Sequence, residues 1–299
     1  APNAGGLSHN KFTDYNINVG GQVINNFSGS NGNVAYGTGS NAVTNTQIGG
    51  LVTVNNNLAA AGGAEAKIIL HEVTSSNNSQ LLGYAEIAGG KAELIIANPN
   101  GITCSGCGFL NTSRLSMIAG SSAVNSNGDL GFNLSSSNVN ADSGIDLLIP
   151  LITIEGLGLD VNDASYTDII ASSIKLSSGI YGSDDSVTSL KTGDDKFDYQ
   201  TKEVSSNSDN SQASGASNEL FAIDADSSGS VFSGRIFLVA TKEGVGVNLG
   251  GSVISTDDLN IDTKGNIYYS TLGSQNSDVN ITTTVSGNLN SKNSDSLIQ

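Results

Sequence analysis

The sequence predicts an all-β chain wound as a solenoid, and three observations carry that reading. Val, Ile and Leu alternate with polar residues through most of its 299 residues, a motif recurs after about twenty positions near the end, and the composition favours strands and turns over helices. Alternation is the period of a strand with one buried face, and a short strand repeat with Gly/Asn turns is the pattern of a solenoid rung. Only 13% of residues are charged, against about 25% in an average domain. Ser, Thr, Asn and 37 Gly supply the polar surface, and with only 3 Pro few backbone ladders are interrupted.

The first 45 residues are the least periodic and carry Phe12, Tyr15 and Phe27, so they are expected to cap an open rung that would otherwise aggregate. Residues 46–183 are expected to form a first run of rungs. Within them, Ala59 to Glu72 is undecided, because Ala-Ala-Ala and Lys67-Ile-Ile-Leu70 favour a helix that Gly62-Gly63 interrupts. Arg114-Leu-Ser-Met117 leading to Gly128-Asp-Leu130, and Ile174-Lys-Leu176 leading to Ser178-Gly-Ile180, each read as strand, turn and strand. Residues 184–219, acidic and then Ser/Asn-rich, are expected to project as a hairpin with a flexible loop. Rungs resume over 220–299, where Leu259-Asn-Ile-Asp-Thr263 recurs as Val279-Asn-Ile-Thr-Thr283, and Gly265-Asn-Ile267 as Gly287-Asn-Leu289.

Twelve basic against 28 acidic residues give a net charge of −16, which disfavours nucleic acid, anionic lipid and polyanionic sugars as partners. No run of 18 apolar residues exists. Ala1-Pro-Asn-Ala4 reads as a mature N-terminus from which a signal peptide has been removed, and the abrupt end after a repeat as the front of a longer array.

Cys104 and Cys107, in Thr-Cys-Ser-Gly-Cys-Gly, permit by spacing a small disulfide loop, half a zinc site or a redox pair. The two histidines, His9 and His71, are not in a ligand-spaced pair, and the neighbourhood reads as strand and turn, so a short disulfide is preferred and no metal or cofactor is expected. A β-helical polysaccharide enzyme would need clustered carboxylates. Glu65, Glu72, Glu86, Glu93 and the pair Asp257-Asp258 offer them, but they read as solvated faces and turns, and no catalytic residue is predicted.

The most specific segment is LIIANPNGITCSGCGFLNTSR, from Leu94 to Arg114. Leu94-Ile-Ile-Ala97 reads as a buried strand and Asn98-Pro-Asn-Gly101 as a turn in which Pro presets φ. With Val43-Thr-Asn-Thr-Gln-Ile-Gly-Gly50, Ile69-Leu-His-Glu-Val73, Leu82-Gly-Tyr-Ala-Glu-Ile87, Ile170-Ala-Ser-Ser-Ile174 and Glu243-Gly-Val-Gly-Val247, this segment resembles the N-terminal secretion domain of the two-partner secretion exoproteins. That family includes filamentous haemagglutinin, secreted haemolysins and contact-dependent growth inhibition toxins, and the Cys-Ser-Gly-Cys pair is similar to the haemolysin and growth-inhibition branch.

The resemblance implies a right-handed parallel β-helix with an N-terminal cap and extra antiparallel strands, as one domain over 1–299. It implies recognition by the periplasmic POTRA domains of a TpsB-type outer-membrane transporter, and export through the periplasm to the surface or medium of a Gram-negative bacterium. It assigns transporter recognition or folding to Asn98, Pro99, Asn100, Gly101 and Ile102. It assigns the same to Asn55, Asn56, Asn57 and Leu58, where the family carries Asn-Pro-Asn-Leu and this chain has Asn for Pro. A monomer is expected, with any target-cell receptor engaged through a region beyond this chain. A glycan- or cell-binding adhesin is the competing reading.

Overall fold

The computed structural model describes residues 2–29, 34–60, 63–124, 129–134, 151–206, 221–283 and 287–299. Its backbone is a three-sided parallel β-helix. Nine strands form one side, in the order Leu7–Phe12, Ile68–Val73, Ala92–Ala97, Thr112–Ile118, Tyr166–Ala171, Val187–Thr192, Arg235–Ala240, Leu259–Thr263 and Val279–Thr283, each parallel to its neighbours. A thirteen-stranded sheet supplies the other two sides. Ile102–Leu110 shows how one strand serves both: its start pairs with Ser79–Leu81 and its end with Tyr84–Gly89, so it bends between them at Ser105-Gly106. Leu151–Asp160 and Gly246–Ser255 have register shifts at their own glycines, Gly156-Leu157-Gly158 and Gly250-Gly251.

The alternation read from the sequence becomes a column of stacked side chains. Ile69, Leu94, Leu115, Thr167, Thr188, Ile236, Leu259 and Val279 are partners in register from rung to rung along the nine-stranded side. Most of the column belongs to the continuous core, where each buried Leu or Ile contributes about 1.5–3 kcal/mol. The terminal repeat stacks in the register its sequence shows: Leu259 on Val279, and Ile267 on Leu289.

Early rungs are apolar on both sides of the sheet. Leu70, Ile95, Ala97, Ile118 and Ile170 belong to a second buried cluster with Phe132, Leu134, Phe197 and Tyr199. Phe132 and Phe197 come from a small antiparallel sheet of Ser121–Val124, Leu130–Asn133 and Lys196–Asp198, which is the cover that makes runs such as Leu94-Ile-Ile-Ala97 continuous.

Several boundaries differ from the sequence reading. Leu7–Phe12 and Gln22–Asn26 are themselves strands of the two sheets, forming a first rung within the expected cap of residues 1–45. The element laid over its end is the hairpin Val43–Thr46 and Gly50–Thr53 with the helix Asn56–Ala60, packed through Phe27, Ala42 and Val54. Of the undecided stretch, Ile68–Val73 is strand and the helix lies just before Gly62-Gly63. The expected projection at 184–219 starts later, because Val187–Thr192 is a rung strand paired on both edges. Acidic neighbours at its ends hid its apolar alternation. Residues 207–219 lie outside the described residues. Leu130 is in the antiparallel cover, so the pairing of Arg114-Leu-Ser-Met117 with Asp129-Leu130 as one rung is corrected; only Ile174 to Ile180 follows the strand-turn-strand course within a rung.

Candidate functional site

The Asn98 turn lies between two sides of one rung. Asn98 is fully buried, and every polar atom of its side chain is used. Its Oδ1 accepts the Asn100 N–H at 2.9 Å, while its Nδ2 donates to the Asn77 carbonyl at 2.9 Å and to Ser79 Oγ at 3.0 Å in the preceding rung. Asn100 Nδ2 donates to the Ser75 carbonyl at 2.6 Å, and the Gly101 N–H to the Asn98 carbonyl at 3.1 Å. Gly101 has φ +100°, and a Cβ there would lie 2.7 Å from the Leu151 carbonyl oxygen of the next rung. Only glycine fits the conformation and the gap. Ile102, fully buried, continues into the core. The tetrapeptide thus ties three successive rungs together.

The Asn55 turn repeats the device without proline. Asn55 Oδ1 accepts the Asn57 N–H at 3.1 Å, and its Nδ2 donates to the Asn25 carbonyl at 2.8 Å across the strand. Asn25 answers through its own Nδ2, 2.9 Å from the Thr53 carbonyl. Asn56 opens the helix and, with Asn57, is exposed; Leu58 is buried. The side-chain bond of Asn55, an Asx turn that fixes the entry to the helix, does what a proline would otherwise do by fixing φ.

Cys104 and Cys107 are joined in a disulfide that clips the corner of the Ile102–Leu110 strand. Both are buried, and the bend between them faces the protruding Leu157 of the next rung.

The four glutamates read as solvated are corrected by the structure, whereas Asp257 stays half-exposed beside Arg235. Glu72 and Glu86 are about 95% buried; Glu65 and Glu86 hold segments at the N-terminal end, and Glu72 and Glu93 hold the antiparallel cover. Glu86 accepts the Gln47 and Ile48 N–H groups at 2.7–2.9 Å, holding the hairpin turn. Glu65 takes the Ser28 N–H at 2.9 Å, and Glu93 the Tyr199 hydroxyl. Glu72 receives the Ser122 N–H and hydroxyl at 2.8 and 2.7 Å and His9 Nε2 at 2.8 Å. Burial alone would raise Glu72, but the bonds from Ser122 and His9 outweigh it and hold its carboxyl below the usual range. Sequence reasoning missed these clamps. The available signal was a glutamate set among apolar residues in a strand, as in Ile69-Leu-His-Glu-Val73 and Tyr84-Ala-Glu-Ile87, where an unpaired charge is not tolerated. Neighbouring His71 is packed against Phe12 and Tyr15, and burial pushes it down to about 4.

A family model described as the TPS secretion domain matches residues 1–269. The chain belongs to the TPS secretion domain family. It is 36% identical over 265 residues to the toxin CdiA of Yersinia pestis, covering 88% of this chain and 7% of that protein. It is 34% identical over 267 residues to the tRNA nuclease CdiA of Escherichia coli strain STEC_O31, covering 89% and 7%. It is also 32% identical over 269 residues to the filamentous hemagglutinin of Bordetella pertussis, covering 89% and 7%. The crystal structure of a filamentous hemagglutinin secretion domain superposes with a TM-score of 0.73 at 28% identity, over 97% of this chain and 91% of that one. The chain therefore spans about 7% of the length of these curated relatives. It is thus a secretion domain of the kind that CdiA and filamentous hemagglutinin exoproteins carry.

Proposed function

We propose that this TPS domain is read by the POTRA domains of a TpsB-type transporter while still unfolded in the periplasm, and that the Asn98 turn then starts β-helix folding outside the cell. The observation that carries this reading is the complete burial of Asn98. A side chain with no exposed surface offers nothing to a partner of the folded domain, so any recognition of it precedes folding. Its bond to Asn100 joins residues two apart, and its bonds to Asn77 and Ser79 span only about twenty residues, so the turn forms at small loop-closure cost. Once made, it offers two stacked rungs to which later ones add singly. An extended strand docking on a POTRA sheet edge is β-augmentation, with pockets reading alternate side chains. The acidic, Ser- and Asn-rich composition keeps such a chain solvated in transit.

The Asn55 turn, Asn55 to Leu58, acts later in this scheme, fastening the hairpin and helix over the first rung. The activity delivered belongs to regions beyond this domain, and relatives named for nuclease and for hemagglutinin share the same front.

The test is secretion. Replacing Asn98 and Asn100 together by Ala, with the transporter co-expressed, should abolish appearance of the domain in the medium and leave it in the periplasm. Unchanged secretion by that variant sinks the proposal. Binding of the urea-unfolded chain, but not of the folded domain, to isolated POTRA domains tests the order of events separately.

A further inference from the structure

Three of the twelve basic side chains of this acidic domain converge on an open cleft of about 260 Å3 on the outer face of the nine-stranded side. Its lining includes Val187, Phe237 and Val239, with Ser189 and Asp168 as polar groups. Asp168 is committed to Arg114, whose guanidinium also lies 4.4 Å from the centroid of the Tyr166 ring. The two lysines are placed differently. Lys191 Nζ donates to the Lys202 carbonyl at 2.6 Å, and Lys202 Nζ sits 3.0 Å from the Tyr199 ring centroid. Among the described residues neither ammonium has a carboxylate partner; Asp168, Glu93 and Glu203 act on them only from longer range.

The fold holds these cations in place against opposition. Burial lowers both lysines from their usual range, Lys202 to about 8. Lys202 also has φ +61°, a left-handed conformation that a side-chain-bearing residue adopts at a cost, kept by its N–H bond to the Asp198 carbonyl at 2.9 Å. Strain of this kind gathers at ligand clamps.

We propose that this cleft is a binding site for a carboxylated sugar, with its carboxylate between Lys191 and Lys202 and its ring against Val187, Phe237 and Val239. Two ammonium groups without a carboxylate partner favour one anionic group. The apolar residues suit the C–H face of a pyranose, while Ser189 offers a partner to one of its hydroxyls. A cleft this small admits a single ring. The net charge of −16 repels a polyanion, so the ligand is one sugar-acid residue and not a charged polysaccharide tract. Lys202 lies beyond the Lys196–Asp198 strand of the antiparallel cover, so the site is complete only once that cover has docked.

Titration of the folded domain with D-glucuronate, followed by amide NMR shifts, tests this. Saturable shifts confined to the cleft are expected, with a Kd on the order of 1 mM for so small a contact, together with a rise in the Lys202 pKa. The double variant Lys191→Gln, Lys202→Gln should weaken binding at least tenfold while shifts elsewhere match the parent. Methyl glucoside and acetate serve as the neutral-ring and bare-carboxylate controls. The proposal is overturned by absence of saturable shifts at about 10 mM, by binding that survives the double substitution, or by acetate or the glucoside matching glucuronate.

Discussion

The Asn55 and Asn98 turns are built from the same bonds and differ in burial. Each asparagine accepts the N–H two residues ahead and donates its amide to a carbonyl of a strand or loop before it. Asn98 is fully buried inside the stack of rungs, whereas Asn55 is half-buried beside a helix whose first residues are exposed. The chemistry of the turn is therefore local, but its worth is set by what surrounds it, since water can replace the bonds of Asn55 and cannot reach the Asn98 side chain or its bond to the buried Ser79 hydroxyl. Proline is secondary to this.

The largest effect that would break the comparison is at Asn98. Asn98→Ala should cost about 3 kcal/mol, because it removes three hydrogen bonds worth about 1 kcal/mol each and leaves the buried Ser79 hydroxyl without its partner. The fall in urea midpoint measures it. A cost equal to that at Asn55 would show that burial does not separate the two turns.

Acid should separate them next. His71 pairs in register with Ile96, two residues before Asn98. In the unfolded chain it takes a proton near pH 6.5, but in the folded domain not until about 4. The unfolded state binds more protons between those values, so stability is complete above pH 6.5 and declines as pH falls toward 4, by up to ~3 kcal/mol. Glu72, held below its usual range, adds loss in the same direction at lower pH. Hydrogen exchange at pH 5 should open the Asn98 turn sooner relative to the Asn55 turn than at pH 7, and His71→Phe should remove the difference.

Reducing the Cys104–Cys107 bond, six residues past Asn98, removes a short cross-link worth about 2 kcal/mol. Calorimetry with and without reductant should show a lower Tm with the fold retained. Asn55→Ala should cost about 1 kcal/mol. The smallest effect is at Asn56, where Asn56→Pro supplies the ring the family usually carries. It opens a helix at a position that tolerates proline, so a gain of about 0.5 kcal/mol is expected. A loss there would mean that the Asx turn and the proline compete.

The features legible in the sequence were those that depend on nearest neighbours along the chain or on rungs one period apart. The register of Leu259 on Val279 could be read because successive rungs there have no insertion between them. The rung strand Val187–Thr192 could not, because its partner Arg235–Ala240 follows an excursion that hides the period. Glu72 and Glu86 looked solvated because a carboxylate gives no sign in sequence of the backbone N–H groups it will meet about forty or fifty residues away.

By itself, then, the sequence determined the strand period, the place of the Asn98 turn and the family resemblance, all of which are local or repeated patterns. Only the tertiary structure decided that Leu94-Ile-Ile-Ala97 is buried on both sides, that four carboxylates fasten the additions to the helix, and that two lysines share a cleft. Those features depend on segments brought together by the winding of the chain, and periodicity fixes which way a side chain points without saying what will cover it.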